Sequence, residues 1–429
     1  MRLTRTAVAL VIVLLAVAGC SGLPFVGNLL GQATTAPTAT QQPAPTFAPT
    51  VTEPPAPTPE PPTSVPTPQP AVPTLPPTFT PAPTVPPVQG TFDVYVSAPM
   101  EDGTQLIRWI NLANGERSTE VRVTALADSI VRAGQYVYWV TPDHVPQRAN
   151  TAGSVETLAF AQRQLPVDGT YQFVPSANGD WLAWLVHDRA AGTYQIEIAY
   201  RDGSGARAVT SASVTAGSAV EIVRVTNNGT TVYIDIQPPE MAPSPTFPGN
   251  YDLYAVAVSD GTLTHLPGEP PCGNRTCSAR ISPDGAYLVR TLPPGLAPAP
   301  VVVTNLVSGA AIARFVPPGI PADTAFDIGN PFFTPGGELV YSEAIIQAGI
   351  TSYRLVFANI VTGEQRELVD LGANPHYPLG WTGGGFILLT TREPDLYDTW
   401  QIDVRDDSIR QIASMLFLGT INEPPLGPR

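Results

Sequence analysis

A short hairpin pattern that recurs through most of the chain is the feature that most restricts its fold. In residues 281–291, ISPDGAYLVRT, a turn containing Gly separates two apolar runs. Further copies read VPSANGDWLAWLV, VTNNGTTVYIDI, FTPGGELVYSE and WTGGGFILLTT, and VRAGQYVYWVT is a weaker copy. Gly, Asn and Asp tolerate the positive φ of a tight hairpin turn, and the aromatic and β-branched residues that follow favour strands. Each copy therefore predicts a pair of antiparallel strands.

A second recurring segment, again a strand that ends in a Gly or Asp turn, follows each hairpin. Its copies are LIRWINLANGE, QIEIAYRDGSG, DLYAVAVSDGT, PVVVTNLVSGA, RLVFANIVTGE and WQIDVRDDS, with the degenerate SVETLAFAQRQLPVDG. Four strands in each repeating unit are typical of β-propeller blades. The copies predict an all-β fold, a single propeller of seven four-stranded blades in residues 91–429. Six or eight blades, or two sandwiches, are the alternatives, because the copy at 125–167 is weak.

The two ends of this region predict how the ring closes. TFDVYVSAP, residues 91–99, has the pattern of a second strand with no first strand before it. ASMLFLGTI, residues 413–421, is an apolar run beyond the last complete blade. Since an open propeller leaves unpaired sheet edges, we expect 413–421 to complete the first blade.

The turn motif resembles the repeat of the TolB-like, WD40-like β-propeller family. The resemblance rests on Ser282-Pro283-Asp284-Gly285, with looser versions at Thr334-Pro335-Gly336-Gly337 and Ser176-Ala177-Asn178-Gly179. It implies the propeller fold, and it implies that Asp284 caps the turn. TolB-like domains act through protein contacts at the cell envelope, which makes a binding role the expectation by analogy.

The N-terminus resembles that of bacterial lipoproteins. Arg2 and Arg5 precede an apolar core that is too short for a comfortable membrane span, and Val17-Ala18-Gly19-Cys20 follows. The resemblance implies a signal peptide at 1–19, cleavage between Gly19 and Cys20, and a lipidated N-terminal segment at 20–31. The chain would then be anchored to the cell membrane, on its extracytoplasmic face, through acyl chains on Cys20.

A Pro/Thr-rich segment, residues 32–90, separates this anchor from the predicted propeller. It holds 20 prolines between Pro37 and Pro87. Proline lacks the backbone donor and restricts φ, so this composition predicts a disordered, polyproline-like stalk that forms neither helix nor sheet. We expect the stalk to hold the propeller away from the membrane.

Composition limits the classes of partner and chemistry. All 22 basic residues are Arg, which excludes reactions that need a lysine, and the formal net charge is -14. An acidic surface repels nucleic acid, so we expect no nucleic-acid partner. The sequence contains neither Gly-x-Ser-x-Gly nor His-Glu-x-x-His, and it predicts no catalytic residue, metal site or cofactor.

Two cysteines remain after Cys20. Cys272 and Cys277 bracket GNRT, and outside the cytoplasm we expect them to form a local disulfide. A metal site with His265 is the alternative, although two thiolates and one imidazole leave the ligand set incomplete. The four histidines, His144, His187, His265 and His376, are far apart in sequence, and we expect no common site.

Three long Pro-rich segments are the candidate binding loops. They are residues 237–252, 292–300 and 316–331. The first carries Met241, Phe247 and Tyr251, which we predict to contact a partner, since rigid loops lose less entropy on binding. The alternative is that these loops face solvent and bind no partner.

Two functions remain open on the sequence alone. In the first, the propeller is a monomeric, non-catalytic module that binds a protein or a glycan. An extracytoplasmic enzyme that cleaves glycans or lactones would instead gather Asp, Glu, His or Arg at the mouth of the central channel. A lipoprotein subunit of an outer-membrane assembly machine is the third alternative.

The lipoprotein prediction is tested by replacing the lipidated residue. We expect the wild type to fractionate with membranes and a Cys20→Ala variant to lose its acyl chains and leave the membrane fraction. Intact mass after detergent extraction measures the acylation directly. A wild type that carries no acyl mass would contradict the prediction.

Overall fold

Seven antiparallel sheets make up the part of the chain that the structure describes. The computed structural model describes residues 91–421 except 113–114, 116, 241–246, 248–249, 267–278, 283–284, 292–294, 297–300, 317, 322–323, 335, 374–376, 382–385 and 394–395. The seven sheets form a ring of four-stranded blades, which confirms the predicted seven-bladed β-propeller.

The strands are numbered along the chain. Blade 1 contains β1 (Phe92–Val96), β2 (Thr104–Asn111) and β3 (Arg117–Thr124), and blade 2 contains β4 (Val131–Ala133), β5 (Tyr136–Val140), β6 (Pro146–Asn150) and β7 (Val155–Thr157). Blade 3 contains β8 (Gly169–Pro175), β9 (Trp181–Asp188), β10 (Thr193–Tyr200) and β11 (Arg207–Ser213), and blade 4 contains β12 (Ala219–Val225), β13 (Thr231–Gln237), β14 (Leu253–Ala257) and β15 (Leu263–His265).

The remaining blades follow in the same order. Blade 5 contains β16 (Ala279–Ile281), β17 (Tyr287–Thr291), β19 (Val301–Asn305) and β20 (Ala311–Phe315), while β18 (Gly295–Leu296) joins the next blade. Blade 6 contains β21 (Ala325–Phe333), β22 (Leu339–Gln347), β23 (Ile350–Ala358) and β24 (Gln365–Gly372). Blade 7 contains β25 (Tyr377–Trp381), β26 (Phe386–Glu393), β27 (Leu396–Asp403) and β28 (Ser408–Ala413), and β29 (Leu416–Ile421) ends the described chain.

The ring closes as the two ends of the propeller region predict. β29 pairs antiparallel with β1, with Phe92 opposite Ile421 and Val96 opposite Leu416, so it is the first strand of blade 1. The hydroxyl of Thr420 donates to the Asp93 carboxylate at 2.7 Å, and the Arg132 guanidinium in blade 2 donates to the Thr420 carbonyl. These contacts join both ends of the described chain to each other and to the next blade.

Each blade has an apolar surface on both faces, because successive side chains of a strand point to opposite sides. In blade 3, Leu185 and Ile196 lie in a buried cluster with Val232 of blade 4, whereas Trp184 lies in another with Tyr138 of blade 2. In two of the fourth strands, β7 and β15, every residue is exposed. The core therefore lies between the blades rather than inside any one of them.

Polar side chains connect the first strands of neighbouring blades. The side-chain amide of Gln172 in β8 donates to the Ile222 carbonyl in β12 at 3.1 Å and accepts the N–H of Ile222 at 2.5 Å. Arg224 in β12 donates to the Ile281 carbonyl in β16 at 3.3 Å. β8, β12 and β16 are edge strands, so their outer backbone groups have no partner strand in their own blade. The Gln172 and Arg224 side chains supply hydrogen-bond partners for some of these groups.

Four of the turns between first and second strands share a Ser or Thr as well as the Gly. In blades 3 to 6 this hydroxyl accepts a backbone N–H at the start of the second strand: Trp181 to Ser176 at 3.0 Å, Thr231 to Thr226 at 3.0 Å, Tyr287 to Ser282 at 2.9 Å and Glu338 to Thr334 at 3.2 Å. The Gly three residues after the hydroxyl has positive φ in all four turns. The recurring capping group in the described turns is thus the Ser or Thr; Asp284 lies outside the described residues.

The predicted signal peptide, Cys20 and the stalk also lie outside the described residues. Within the described ranges, no helix is long and apolar enough to cross a membrane.

Removal of β29 tests the ring closure. A chain that ends at Ser414 exposes the edge of β1 and the apolar side chains that pack on Ile421, each worth about 2 kcal/mol when buried. We expect a loss of several kcal/mol in the free energy of unfolding, measured by chemical denaturation. A chain that ends at Ile421 is the matched control. Equal stability of the two truncated chains would contradict the closure.

Replacement of the capping hydroxyl tests the turn. Ser176 is fully buried, so Ser176→Ala leaves the N–H of Trp181 without its acceptor and should cost about 1–2 kcal/mol. Ser176→Thr keeps the hydroxyl, as Thr226 and Thr334 do, and should retain most of the stability. Urea unfolding of the three proteins measures the difference, and equal losses in both variants would rule out the hydroxyl as the cause.

Candidate functional site

The candidate loops lie on one side of the ring. Strands alternate in direction within a blade, so the connections from second to third strand and from fourth strand to the next blade share one side. The segments 237–252, 292–300 and 316–331 all include such connections, which leave β13, β17 and β20. We call this side the loop face, and the opposite side, which carries the hairpin turns with Ser or Thr, the turn face.

A buried carboxylate holds the end of the first loop. Asp235 in β13 is fully buried, and it accepts the backbone N–H of Tyr251 at 3.0 Å and that of Asp252 at 2.7 Å. The Gln237 side chain donates to it at 2.7 Å. Burial raises the pKa of Asp235 to about 6 despite these donors. The return of the chain from the loop into β14 is therefore fixed by one side chain of the preceding strand.

The next carboxylate orients a histidine at the edge of blade 4. Asp252 contacts Nε2 of His265 at 2.6 Å through one oxygen, and its other oxygen accepts the hydroxyl of Tyr254 at 2.9 Å. Burial, and then the hydrogen bond to Asp252, raise the pKa of Tyr254 to about 12. The His265 side chain is 46% exposed. An imidazole that a carboxylate orients in this way is able to transfer protons or to bind a metal ion.

The metal alternative gains no further ligand from the described residues. Among them, no group of three or more His, Cys, Asp or Glu side chains is placed to hold a metal ion. The three described histidines lie in separate blades: His144 between β5 and β6, His187 in β9 and His265 in β15. His187 is buried, and this burial lowers its pKa. Cys272, Cys277 and His376 lie outside the described residues, so the disulfide stays a prediction.

Phe247 lies far from the blade that carries its loop. Its side chain is 1% exposed, and its ring meets Tyr353 of β23 and Tyr377 of β25 edge to face. Its backbone N–H donates to Asp327 in β21 at 3.3 Å. The loop of blade 4 thus reaches blades 6 and 7, and β18, from the loop of blade 5, pairs with the same strand β21.

The structure describes two of the three residues that were predicted to contact a partner, and they differ in burial. Phe247 is in the interior rather than on a free rim, and Tyr251 is partly buried, with its N–H bound to Asp235. Met241 lies outside the described residues, as do Gly19 and Cys20. Partner binding by Met241 and Tyr251 remains a prediction.

The loop-face carboxylates were not among the sequence-predicted residues, although the sequence carries a signal for two of them. Asp235 and Asp327 interrupt otherwise apolar strand segments, TVYIDIQ and AFDIGN. A charged residue in such a segment is rarely buried unless it has partners. The identity of those partners depends on contacts across the loop, which the local pattern does not contain.

Comparison with protein-family models and with curated proteins finds no match. Similar solved structures include a 6-phosphogluconolactonase-like protein from Bacteroides uniformis, with 12% identity, a TM-score of 0.48, and coverage of 77% of this chain and 99% of that chain. Oligogalacturonate lyase from Vibrio parahaemolyticus has 10% identity, a TM-score of 0.45, and coverage of 72% and 90%. TolB from Acinetobacter baumannii has 12% identity, a TM-score of 0.39, and coverage of 74% and 78%. The propeller assignment rests on the seven sheets and their closure, described above.

The buried carboxylate predicts a pH dependence of stability. The folded chain binds the Asp235 proton more tightly than the unfolded chain does, so this residue favours folding at low pH and loses that effect as the pH rises through about 6. Asp235→Asn removes the titration. We expect the stability of wild type relative to Asp235→Asn to be greater at pH 4 than at pH 7.5, by on the order of 2–3 kcal/mol. Urea unfolding at both pH values measures it; a difference that does not change with pH would contradict the raised pKa.

Proposed function

We propose that this chain is an extracytoplasmic, lipid-anchored lipoprotein that presents its propeller as a non-catalytic binding module to a protein or glycan partner. The observation that carries the proposal is the anchoring of long loops on one face of a closed ring. Asp235 fixes the end of the blade 4 loop, and β21 receives both Phe247 and β18. Loops that are ordered before binding lose less entropy when a partner binds.

The use of the loop-face carboxylates supports binding over catalysis. The Asp235 oxygens accept backbone N–H groups, and Asp252 bonds His265 and Tyr254. These acids position chain segments, whereas a glycan-cleaving site needs carboxyl groups directed at the substrate. The predicted Cys20 anchor and the Pro/Thr stalk would hold such a module in the envelope, and the net charge of -14 disfavours nucleic acid as the partner.

One observation favours an enzyme as the second candidate. The exposed imidazole of His265, held by Asp252, has the geometry of a general base. If the chain cleaves lactones or glycans through this group, His265→Ala should abolish turnover, whereas Tyr254→Phe should retain most of it. A screen of lactones and oligosaccharides with wild type as the reference would decide this.

Affinity purification of the membrane-anchored chain, followed by mass spectrometry, tests the binding role. We expect a stoichiometric protein partner with wild type and reduced recovery with Cys20→Ala, which lacks the anchor. Tyr251→Ala on the loop face should weaken recovery. Tyr200→Ala is the matched control, because Tyr200 ends β10 on the turn face and is 46% exposed.

The outcomes separate the candidates. A partner that depends on Tyr251 supports the loop face as the binding surface. Recovery of no protein would contradict a protein partner and direct the search to cell-wall and polysaccharide fragments. Turnover that His265→Ala abolishes would overturn the non-catalytic role.

A further inference from the structure

Met415 lies at the joint where the ring closes. It is one of the two residues between β28, the last strand of blade 7, and β29, the first strand of blade 1. The Thr399 hydroxyl in β27 donates to the Met415 carbonyl at 2.6 Å and accepts the N–H of Phe417 at 3.0 Å. Thr399 is fully buried, so a side chain of blade 7 fixes the backbone on both sides of this joint.

The Met415 side chain contacts a guanidinium. Nη1 of Arg108 in β2 donates to the Met415 sulfur at 3.4 Å. The neighbouring residues of β29 have apolar contacts instead, since Leu416 and Leu418 pack on the buried cluster of blades 1 and 2. A thioether sulfur is only a weak acceptor. This N–H of Arg108 therefore has a poor partner at the point where blade 1 receives its closing strand.

The surroundings hold Arg108 in place. Its Nε donates to Oε1 of Glu120 in β3 at 2.7 Å, and its side chain is 19% exposed. Tyr95 in β1 lies opposite Arg108, and its ring packs edge to face on Phe417 of β29 with the centroids 5.5 Å apart. The sulfur thus faces a positively charged donor that is mostly buried and already oriented.

We propose that Met415 is a site of reversible oxidation by a peroxide, and that Arg108 binds the oxygen of the resulting sulfoxide. Met415 is partly exposed, so a small oxidant has access to it. Hydrogen peroxide transfers one oxygen atom to the sulfur, which loses two electrons. The O–O bond breaks as the S–O bond forms, and the departing hydroxide takes the proton of the transferred oxygen and leaves as water. Methionine sulfoxide reductases restore the thioether.

The oxidation exchanges a weak acceptor for a strong one. A sulfoxide oxygen that accepts from a guanidinium makes a charge-assisted hydrogen bond, which is stronger than a neutral one. The oxygen needs room between the sulfur and Arg108, and the unbranched, partly exposed Met415 side chain can retreat toward solvent to provide it. We therefore expect the oxidation to strengthen the contact between the closing strand and β2. It concerns the ring closure and is independent of the proposed binding function.

The experiment treats the purified full chain with hydrogen peroxide. Peptide mapping by mass spectrometry should locate one added oxygen on Met415. The melting temperature of the wild type should rise by about 1–3 °C on oxidation. Met415→Leu is the matched control, because it keeps the other methionines, Met100 among them, and measures the effect of their oxidation. The rise should be absent from this variant.

Removal of the donor tests the part played by Arg108. In Arg108→Leu, the sulfoxide oxygen has no guanidinium to accept from, so oxidation should leave the melting temperature unchanged or lower it. Glu120→Gln keeps the guanidinium and should show the same rise as the wild type. If Arg108→Leu does not fold, Arg108→Gln supplies a shorter, neutral donor, and the rise should be smaller than in the wild type.

Each result either supports the proposal or overturns it. A rise that needs both Met415 and Arg108 would support it, and so would its reversal by a methionine sulfoxide reductase. A Met415 that stays unoxidised at a peroxide dose that oxidises free methionine would overturn the site. An equal change of melting temperature in the wild type and in the Arg108 variants would overturn the role of the guanidinium. A sulfoxide that the reductase cannot reduce in the folded chain would overturn the reversibility.

Discussion

The pairing of β29 with β1 is the contact on which the rest of the structure depends. It joins residues from the two ends of the described chain in one sheet, with Phe92 opposite Ile421. Since the core of a propeller lies between blades, every blade needs two neighbours, and blade 1 obtains its first strand only from the end of the chain. Without it, β1 would expose an unpaired edge, and the apolar faces around Ile421 would meet water.

The closed ring also determines where the loops of blades 4 and 5 are held. Gln172 and Arg224 join the central strands of successive blades, so the ends of the strands keep fixed positions around the ring. On that frame, the loops from blades 4 and 5 both reach β21 of blade 6. A loop that crosses to a distant blade is stable only if the blades it connects do not move apart.

Buried acids perform much of this positioning. Asp235, Asp252 and Asp327 are each nearly inaccessible, and each bonds groups on or beside the blade 4 loop. Burial of a carboxylate is costly unless it is hydrogen-bonded, so each acid restricts the chain to the conformation that supplies its donors. The result is a preorganised face, which accords with the proposed binding role.

The local pattern of the sequence determined the blades, because period-two alternation and Gly turns act over only a few residues. It was enough to predict seven blades and the closing strand at 413–421, and the Ser or Thr of the turns in blades 3 to 6 was visible in the same motif. The tertiary structure alone decided the position of Phe247, predicted on a free rim and found buried 80 residues along the chain from its acceptor Asp327. It also decided the partners of Asp235 and Asp252. Such contacts join residues that are far apart in the sequence. A local periodicity covers only a few residues, so it contains no information about them.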